Sequence, residues 1–501
     1  MKGYSFLYIT PEIILCLGGI VLMLLSGFKR IKIEVFAFVT MAFLIVSAVF
    51  QLFNLSGVYS YKLYPEIFHK MFIVDTFSSY FSLLFVLGAI FTMLVGKHYF
   101  ERREYFRGEF FALLLFAVFG MSMLMHSNEL ITLFISLEIA SLSIYVMTGF
   151  NRANNRRVEA AYKYMILGAF AGAFYLLGVA LLYAQTGTTL LGDIGAYLSA
   201  HQTDSLLVAY VGGISLIILI FFKISAFPFH SWTLDVYGGA PLPVSGFMAA
   251  TFKIAIFGFL IRLLVVDFDS ISYIWHNLFY WVTILTIAFG TFLATAQTNI
   301  KRLLASSSIV HTGYMMIAVS SIQEVGVAAT TSIIFYLVAY FLSAIGSFGL
   351  LSYITSDERV RVTYDDFKGF GKSHPYMAAM MTIFMFSLAG IPGTIGFMGK
   401  FYIFTTAIEA HNYMLAIVGV LATFISIYYY FKLIAVMYFY KDPVLRVGPK
   451  LKGISPKVLA FTALLILWGG MGNSHILFIP GVDFLIKLAH MSYESMLLPF
   501  Q

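Results

Sequence analysis

The chain has 501 residues, of which 60% are hydrophobic and only 11% charged, with a formal net charge of +7. A soluble domain carries roughly 25% charged residues, so the composition excludes a soluble globular protein, and the positive balance, held in short loops, reads as a topology signal and not as a nucleic-acid surface. The single cysteine, Cys16, excludes a disulfide framework or a cysteine-ligated cluster within the chain.

In chain order, apolar runs long enough to cross a hydrocarbon core of about 30 Å predict helices at 9–28, 33–53, 72–95, 110–127, 129–149, 159–184, 206–235, 244–264, 273–296, 303–320, 326–355, 376–407, 412–438 and 457–475. The first run is too long for the h-region of a signal peptide, and no small-residue cleavage site follows it. The predicted class is an all-α integral membrane protein with about 14 transmembrane helices in one polytopic domain, 1–501. Two of these spans carry breakers: Pro228 in the seventh, and Gly390-Ile391-Pro392-Gly393 in the twelfth. A break inside a membrane requires protein or a water-filled cavity to satisfy the freed backbone groups. The breaks lie five helices apart. That spacing predicts two five-helix repeats, helices 4–8 (108–265) and helices 9–13 (270–440), between helices 1–3 (1–107) and helix 14 with a short tail (441–501). An odd number of helices per repeat inverts the second relative to the first.

The loop charges predict the orientation. Lysines and arginines around 29–32, 97–107, 152–157, 301–302, 359–372 and 441–457 number 21 on one side, against five (Lys2, Lys62, Lys70, Arg262 and Lys487) on the other. The positive-inside rule places the first set in the cytoplasm and both termini outside a plasma (cell inner) membrane.

Five lysines remain inside helices: Lys163, Lys223, Lys253, Lys400 and Lys432, with one carboxylate, Glu138, near the centre of a span. A charge at mid-membrane costs roughly 2.5–3.5 kcal/mol on insertion scales, so these groups must face water or one another. Lys432 also reads as a snorkelling side chain. Lys163, four residues after Glu159, also reads as a structural pair. Burial favours the neutral form of such groups and a nearby opposite charge favours the charged form, so a Glu138–Lys223 pair that opens would release a proton. His230 and His311 add relay candidates that titrate near neutral pH, each with a packing role as the alternative; His126 lies near a helix end. Glu138, Lys223, Lys253, His311 and Lys400 are expected at similar depth, as one hydrated line. No phosphate loop, dinucleotide fingerprint or zinc motif is present; Gly168, Gly172 and Gly178 read as close helix contacts.

The stretch Lys223-Ile-Ser-Ala-Phe-Pro-Phe-His-Ser-Trp-Thr-Leu-Asp-Val-Tyr-Gly-Gly-Ala-Pro-Leu-Pro-Val resembles the seventh-helix signature of the antiporter-like subunits of complex I, and Leu-Ala-Gly-Ile-Pro-Gly-Thr-Ile-Gly-Phe-Met-Gly-Lys400 their twelfth-helix signature. Leu137-Glu-Ile-Ala-Ser-Leu, Glu159-Ala-Ala-Tyr-Lys-Tyr and Ala305-Ser-Ser-Ser-Ile-Val-His resemble the N-type in particular. The resemblance implies a proton-translocating subunit of NADH:quinone oxidoreductase, with Glu138, Lys223, Lys253 and Lys400 at the family's relay positions. It also implies no cofactor or metal in this chain, NADH and quinone bound by other subunits, and M-type, K-type and J-type neighbours besides lipid, protons and water. Leu234, Gly238 and Leu242 depart from the family's seventh-helix pattern, and Gly238 leaves that loop one charge short. The competing readings are an Mrp-type cation/proton antiporter subunit, the equivalent subunit of a complex with another electron donor, and a scaffold without transport.

Overall fold

The computed structural model describes residues 5–28, 31–56, 66–201, 206–267, 272–355, 362–440, 453–471 and 483–497. Of the loop cations used for orientation, Lys2, Lys29, Arg30, Lys62, Arg359, Arg361, Lys441, Arg446, Lys450 and Lys452 lie outside the described residues.

The fold is helical throughout. The helices are α1 (Thr10–Ser26), α2 (Ile33–Leu55), α3 (Thr76–Glu101), α4 (Gly108–His126), α5 (Leu130–Thr148), α6 (Asn155–Thr186), α7 (Leu191–Ala200), α8 (Leu207–Ile224) and α9 (Trp232–Gly239). They continue with α10 (Leu242–Val265), α11 (Ser272–Thr295), α12 (Ile300–Val319), α13 (Ile322–Ile354), α14 (Pro375–Ala389), α15 (Ile395–Glu409), α16 (Tyr413–Phe439), α17 (Ser455–Gly469) and α18 (Asp483–Leu497). Every predicted span falls on these helices in order. Ten described helices are long and apolar enough to cross a membrane, and α1, α14 and α17 are shorter apolar helices. The chain is a multi-pass membrane protein.

Three local details differ from the sequence reading. The third helix starts later than expected, because residues 66–73 form a two-stranded hairpin pairing Glu66 with Ile73 and Ile67 with Phe72, and Asp75 then caps α3 through the Ser78 N–H, with the Ser78 hydroxyl returned to the Asp75 backbone. The segment expected as a short tail contains α18, packed on α3 and α13. The eighth span is not uniform: Met248–Phe252 and Leu263–Asp267 are π turns flanking a regular stretch, Lys253–Arg262. π turns are rare and concentrate at functional sites.

The two predicted breaks are both present. α8 ends at Ile224, with Ser225 at φ +64°, and α9 restarts at Trp232. α14 ends at Ala389, with Gly390 at φ +81°, and α15 restarts at Ile395, capped by Thr394. Between the breaks runs α13, whose length from Ala329 to Ile354 is almost wholly buried and which packs against α10, α14, α15 and α17. α10 is buried along most of its length too. By contrast α1, α2, α6 and α16 carry outward rows of large apolar side chains, such as Phe38, Phe170 and Phe424. Contiguous apolar faces of this size do not suit water and do suit lipid or neighbouring subunits. The expected glycine contact is found between α6 and α8: a Cβ at Gly178 would stand 2.5 Å from the Gly212 carbonyl oxygen.

Candidate functional site

Each helix break frees backbone carbonyls, and each is satisfied from the protein interior. At the first, the Trp232 indole donates to the Phe222 carbonyl at 3.0 Å, and the Thr312 hydroxyl donates to the Ile224 carbonyl at 2.8 Å. At the second, the Lys400 ammonium donates to the Leu388 and Ala389 carbonyls at 3.0 and 2.9 Å. The breaks thus place a lysine at one and a threonine–lysine pair at the other, which is where the polar groups of the core meet.

From these two points a line of polar side chains crosses the core. Lys223, the penultimate residue of α8, donates to the Ser141 hydroxyl at 2.7 Å and the Tyr145 hydroxyl at 2.8 Å, both on α5. Next to it, Thr312 accepts from Lys253 at 2.8 Å, and Lys253 also donates to the Ser308 hydroxyl and carbonyl at 2.6 and 2.8 Å. Lys253 lies 5.5 Å from the Tyr340 ring, which packs on the His311 imidazole at 4.8 Å. His311 bonds Tyr336 through Nδ1 at 2.6 Å and Tyr430 through Nε2 at 3.2 Å. Tyr314 packs edge-on to His311, and the Lys400 ammonium lies 4.8 Å from the Tyr314 ring. Lys223, Lys253, His311 and Lys400 are each no more than 3% exposed.

The chemistry of this line is unusual in one respect. Among the described residues, none of Lys223, Lys253 and Lys400 has a carboxylate within salt-bridge distance. Their partners are hydroxyls, carbonyls and aromatic faces. A hydroxyl both donates and accepts and can rotate between the two roles, and an aromatic face attracts a cation without holding its protons. Neutral partners of this kind hold an ammonium in place and leave its proton free to move along hydroxyls.

The residues 127–426, which contain Lys223, Lys253, His311 and Lys400, match the family described as NADH:quinone oxidoreductase/Mrp antiporter, TM. NADH-quinone oxidoreductase subunit N of Trichlorobacter lovleyi is 38% identical over 431 residues, covering 86% of this chain and 87% of that protein. The chain belongs to the subunit N family of NADH-quinone oxidoreductases. A chain of respiratory complex I from Thermus thermophilus superimposes with a TM-score of 0.76 at 28% identity, over 92% of this chain and 97% of that one. A chain of the Mrp complex from Dietzia shares the fold alone, with a TM-score of 0.82 at 18% identity over 99% and 98% of the two chains.

Not every residue singled out in this subunit N sequence joins the line. Glu138 on α5 makes no direct ion pair with Lys223. Its Oε1 is buried without a hydrogen-bond partner among the described residues, as is the Tyr164 hydroxyl, and Glu138 and Tyr164 are within electrostatic reach of each other. Lys223 lies 5.7 Å from the same Tyr164 ring, so the carboxylate and the ammonium border one tyrosine. Lys163 sits apart, in a half-exposed network with Glu159 at 2.7 Å and Asp235 at 3.0 Å, where Asp235 also pairs with Arg302 at 3.0 Å. Exposed pairs contribute about 0.2–1 kcal/mol. Lys163→Gln is therefore expected to leave the melting curve of the complex nearly unchanged; a marked loss would mean that Lys163 belongs to the buried set. His230 lies in the first break, packed beside the stacked rings of Phe227 and Phe289. Lys432 is exposed, with its ammonium 4.7 Å from the Tyr364 ring, as the snorkelling reading expects.

Gly390 supports Lys400 directly. Its φ of +81° is a left-handed conformation, and a Cβ there would stand 2.8 Å from Lys400 Cδ. Gly390→Ala is expected to cost about 1–2 kcal/mol from backbone strain and to displace the lysine from its two carbonyls. Reduced thermal stability together with reduced proton transport would be measured; a variant with wild-type values in both would contradict this.

Sequence reasoning missed two buried polar contacts. Arg262, read as a helix-end residue, places Nη2 at 2.9 and 2.8 Å from the two carboxylate oxygens of Asp75. Glu12 accepts from Gln51 at 2.7 Å and lies 3.2 Å from His126 Nε2, joining α1, α2 and α4. The available signals were the capping pattern Asp75-x-x-Ser78 and an acid in the first turn of α1. Neither names its partner.

Proposed function

We propose that this chain carries protons across the membrane arm of an NADH-quinone oxidoreductase, from the cytoplasm to the outside, through Glu138, Lys223, Lys253, His311 and Lys400. The observation that carries this reading is the buried row of polar and aromatic groups between the two helix breaks, hydrogen-bonded from Ile224 through Thr312 to Lys253 and continued by ring contacts through Tyr340, His311 and Tyr314 to Lys400. A scaffold gains nothing from three buried ammonium groups without counter-charges, each costly at membrane depth. Transport of protons along hydroxyls and lysines needs this set.

In this reading, electrons stay on other subunits that bind NADH and quinone, and this chain has no redox centre of its own. It lies beside M-type, K-type and J-type neighbours. The chain crosses the bilayer fourteen times with both termini outside, in keeping with the loop asymmetry of 21 cations against five, and its two five-helix units are inverted copies. Lys223 with Glu138 receives protons in the first unit. Lys253, Thr312 and Ser308 pass charge between units, and Lys400 delivers it outward from the second.

The test is the proton-to-electron ratio of the assembled complex in liposomes. Glu138→Gln and Lys253→Met are each expected to leave assembly intact and to lower that ratio, because one of several parallel routes is lost. An unchanged ratio in both variants would overturn the proposal.

A further inference from the structure

A cleft of about 760 Å³ lies between α14 and α17, on the flank of the second unit and away from the buried line. Its walls are apolar, formed by Ile383 of α14 and Ala460, Ala463 and Leu464 of α17. Its mouth is different in kind. Tyr376 and Lys457 stand there, both exposed, and Lys457 makes no ion pair among the described residues. Small side chains at 460 and 463 leave room on one wall for an apolar chain, with an aromatic hydroxyl and a cation at the helix N-terminal end.

The charge around the mouth is mainly basic, although Lys368 is paired there with Asp365 at 2.8 Å. Both helices begin there, α14 at Pro375 and α17 at Ser455, and neither has a side-chain cap on its first N–H groups, so the positive ends of both helices point the same way as Lys457. Lys368 and Lys372 precede α14 at this end of the molecule. Basic clusters at the cytoplasmic ends of helices recognise anionic phospholipid headgroups, and tyrosine is enriched at headgroup depth.

We propose that this cleft binds one anionic phospholipid, with an acyl chain between Ile383 and Ala463 and the headgroup phosphate at Lys457 and Tyr376. The occupant is a lipid and not a peptide, since the walls present no polar group to a backbone and the cleft lies within the apolar length of both helices. The inference is independent of the proton route.

The experiment uses the assembled complex in phosphatidylcholine vesicles doped with a photoactivatable phosphatidylglycerol, or with the same acyl probe on phosphatidylcholine. Labelled peptides are then mapped. The phosphatidylglycerol probe is expected to label 375–389 and 455–469 several-fold more than the phosphatidylcholine probe. Unlabelled phosphatidylglycerol, and not phosphatidylcholine, is expected to compete with it. Lys457→Glu is expected to remove the headgroup preference while leaving assembly intact, and Ala463→Phe to lower labelling by both probes by filling the slot. Equal labelling by the two headgroups in the unmodified complex would overturn the proposal, as would a preference that survives Lys457→Glu. Absence of labelling by either probe would overturn it too, since a neighbouring subunit would then cover the cleft.

Discussion

A Lys400→Met complex is expected to assemble, to oxidise NADH, and to carry fewer protons per electron into liposomes, the share of this one of several parallel routes being lost. Methionine keeps much of the stem and fills the same apolar volume. What disappears is the ammonium and its two bonds to the Leu388 and Ala389 carbonyls, each worth about 1.5–3 kcal/mol as a hydrogen bond to a charged group. The fold survives because a break of this kind admits water to the freed carbonyls. Transport through this chain does not, because Lys400 is the last cation of the line and, among the described residues of α14–α16, the one buried lysine; Lys432 on α16 is exposed. Proton uptake by a pH-sensitive dye, normalised to NADH oxidised by the same sample, decides the matter: a wild-type ratio in a fully assembled variant would remove Lys400 from the route.

The second large effect concerns stability. Asp75 and Arg262 are 3% exposed or less and join α3 to α10. Asp75 also caps α3 by accepting from the Ser78 N–H at 2.7 Å, and the Arg262 guanidinium lies 5.2 Å from the Phe77 ring. Removing one partner of a buried pair strands the other charge and costs about 3–5 kcal/mol. Arg262→Met is therefore expected to lower the yield and melting temperature of the complex sharply. The double variant Asp75→Asn with Arg262→Met removes both charges and keeps a capping side chain, so it is expected to recover most of the loss. If the single and double variants melt together, the pair is not the source of the stability.

Much of this molecule can be read without coordinates. Apolar length alone located the helices, since the bilayer makes length a physical requirement. Pro228 and Gly390–Gly393 located the breaks, because proline cannot donate and glycine accepts φ > 0. Burial cost singled out Glu138, Lys223, Lys253 and Lys400, and the ordinary titration range of histidine singled out His311. What composition hides is the set of partners. Tyr145, Tyr164, Tyr314, Tyr336, Tyr340 and Tyr430 count as aromatic apolar residues in any hydropathy profile, yet their hydroxyls and faces surround the buried cations. Glu138 pointed to an ion pair with Lys223, but the nearer acceptors on that face of α5 are Ser141 and Tyr145, one and two turns further along. Asp75, Arg262, Glu12 and His126 looked like helix ends, which ordinarily face water; only the packing of α1–α4 and α10 shows that these ends are covered. The π turns left no signal, because no residue type in Met248–Phe252 requires a wide turn.

Those wide turns have a consequence for what this stretch can tolerate. Lys253 and Arg262 stand nine residues apart on a rigid cylinder, two and a half revolutions at about 100° each residue, so they face opposite sides: one meets Ser308 on α12, the other Asp75 on α3. The two contacts are therefore phased to each other like teeth on a single gear. A wide turn holds one residue more per turn than an ordinary one, so deleting one residue in 248–252 would leave the cylinder in phase with the preceding helix, whereas deleting one between Lys253 and Arg262 would rotate the two contacts against each other by about 100°. Either the lysine or the arginine would then face the wrong wall. Residue number is fixed between these two side chains, whereas the wide turn before them can lose one.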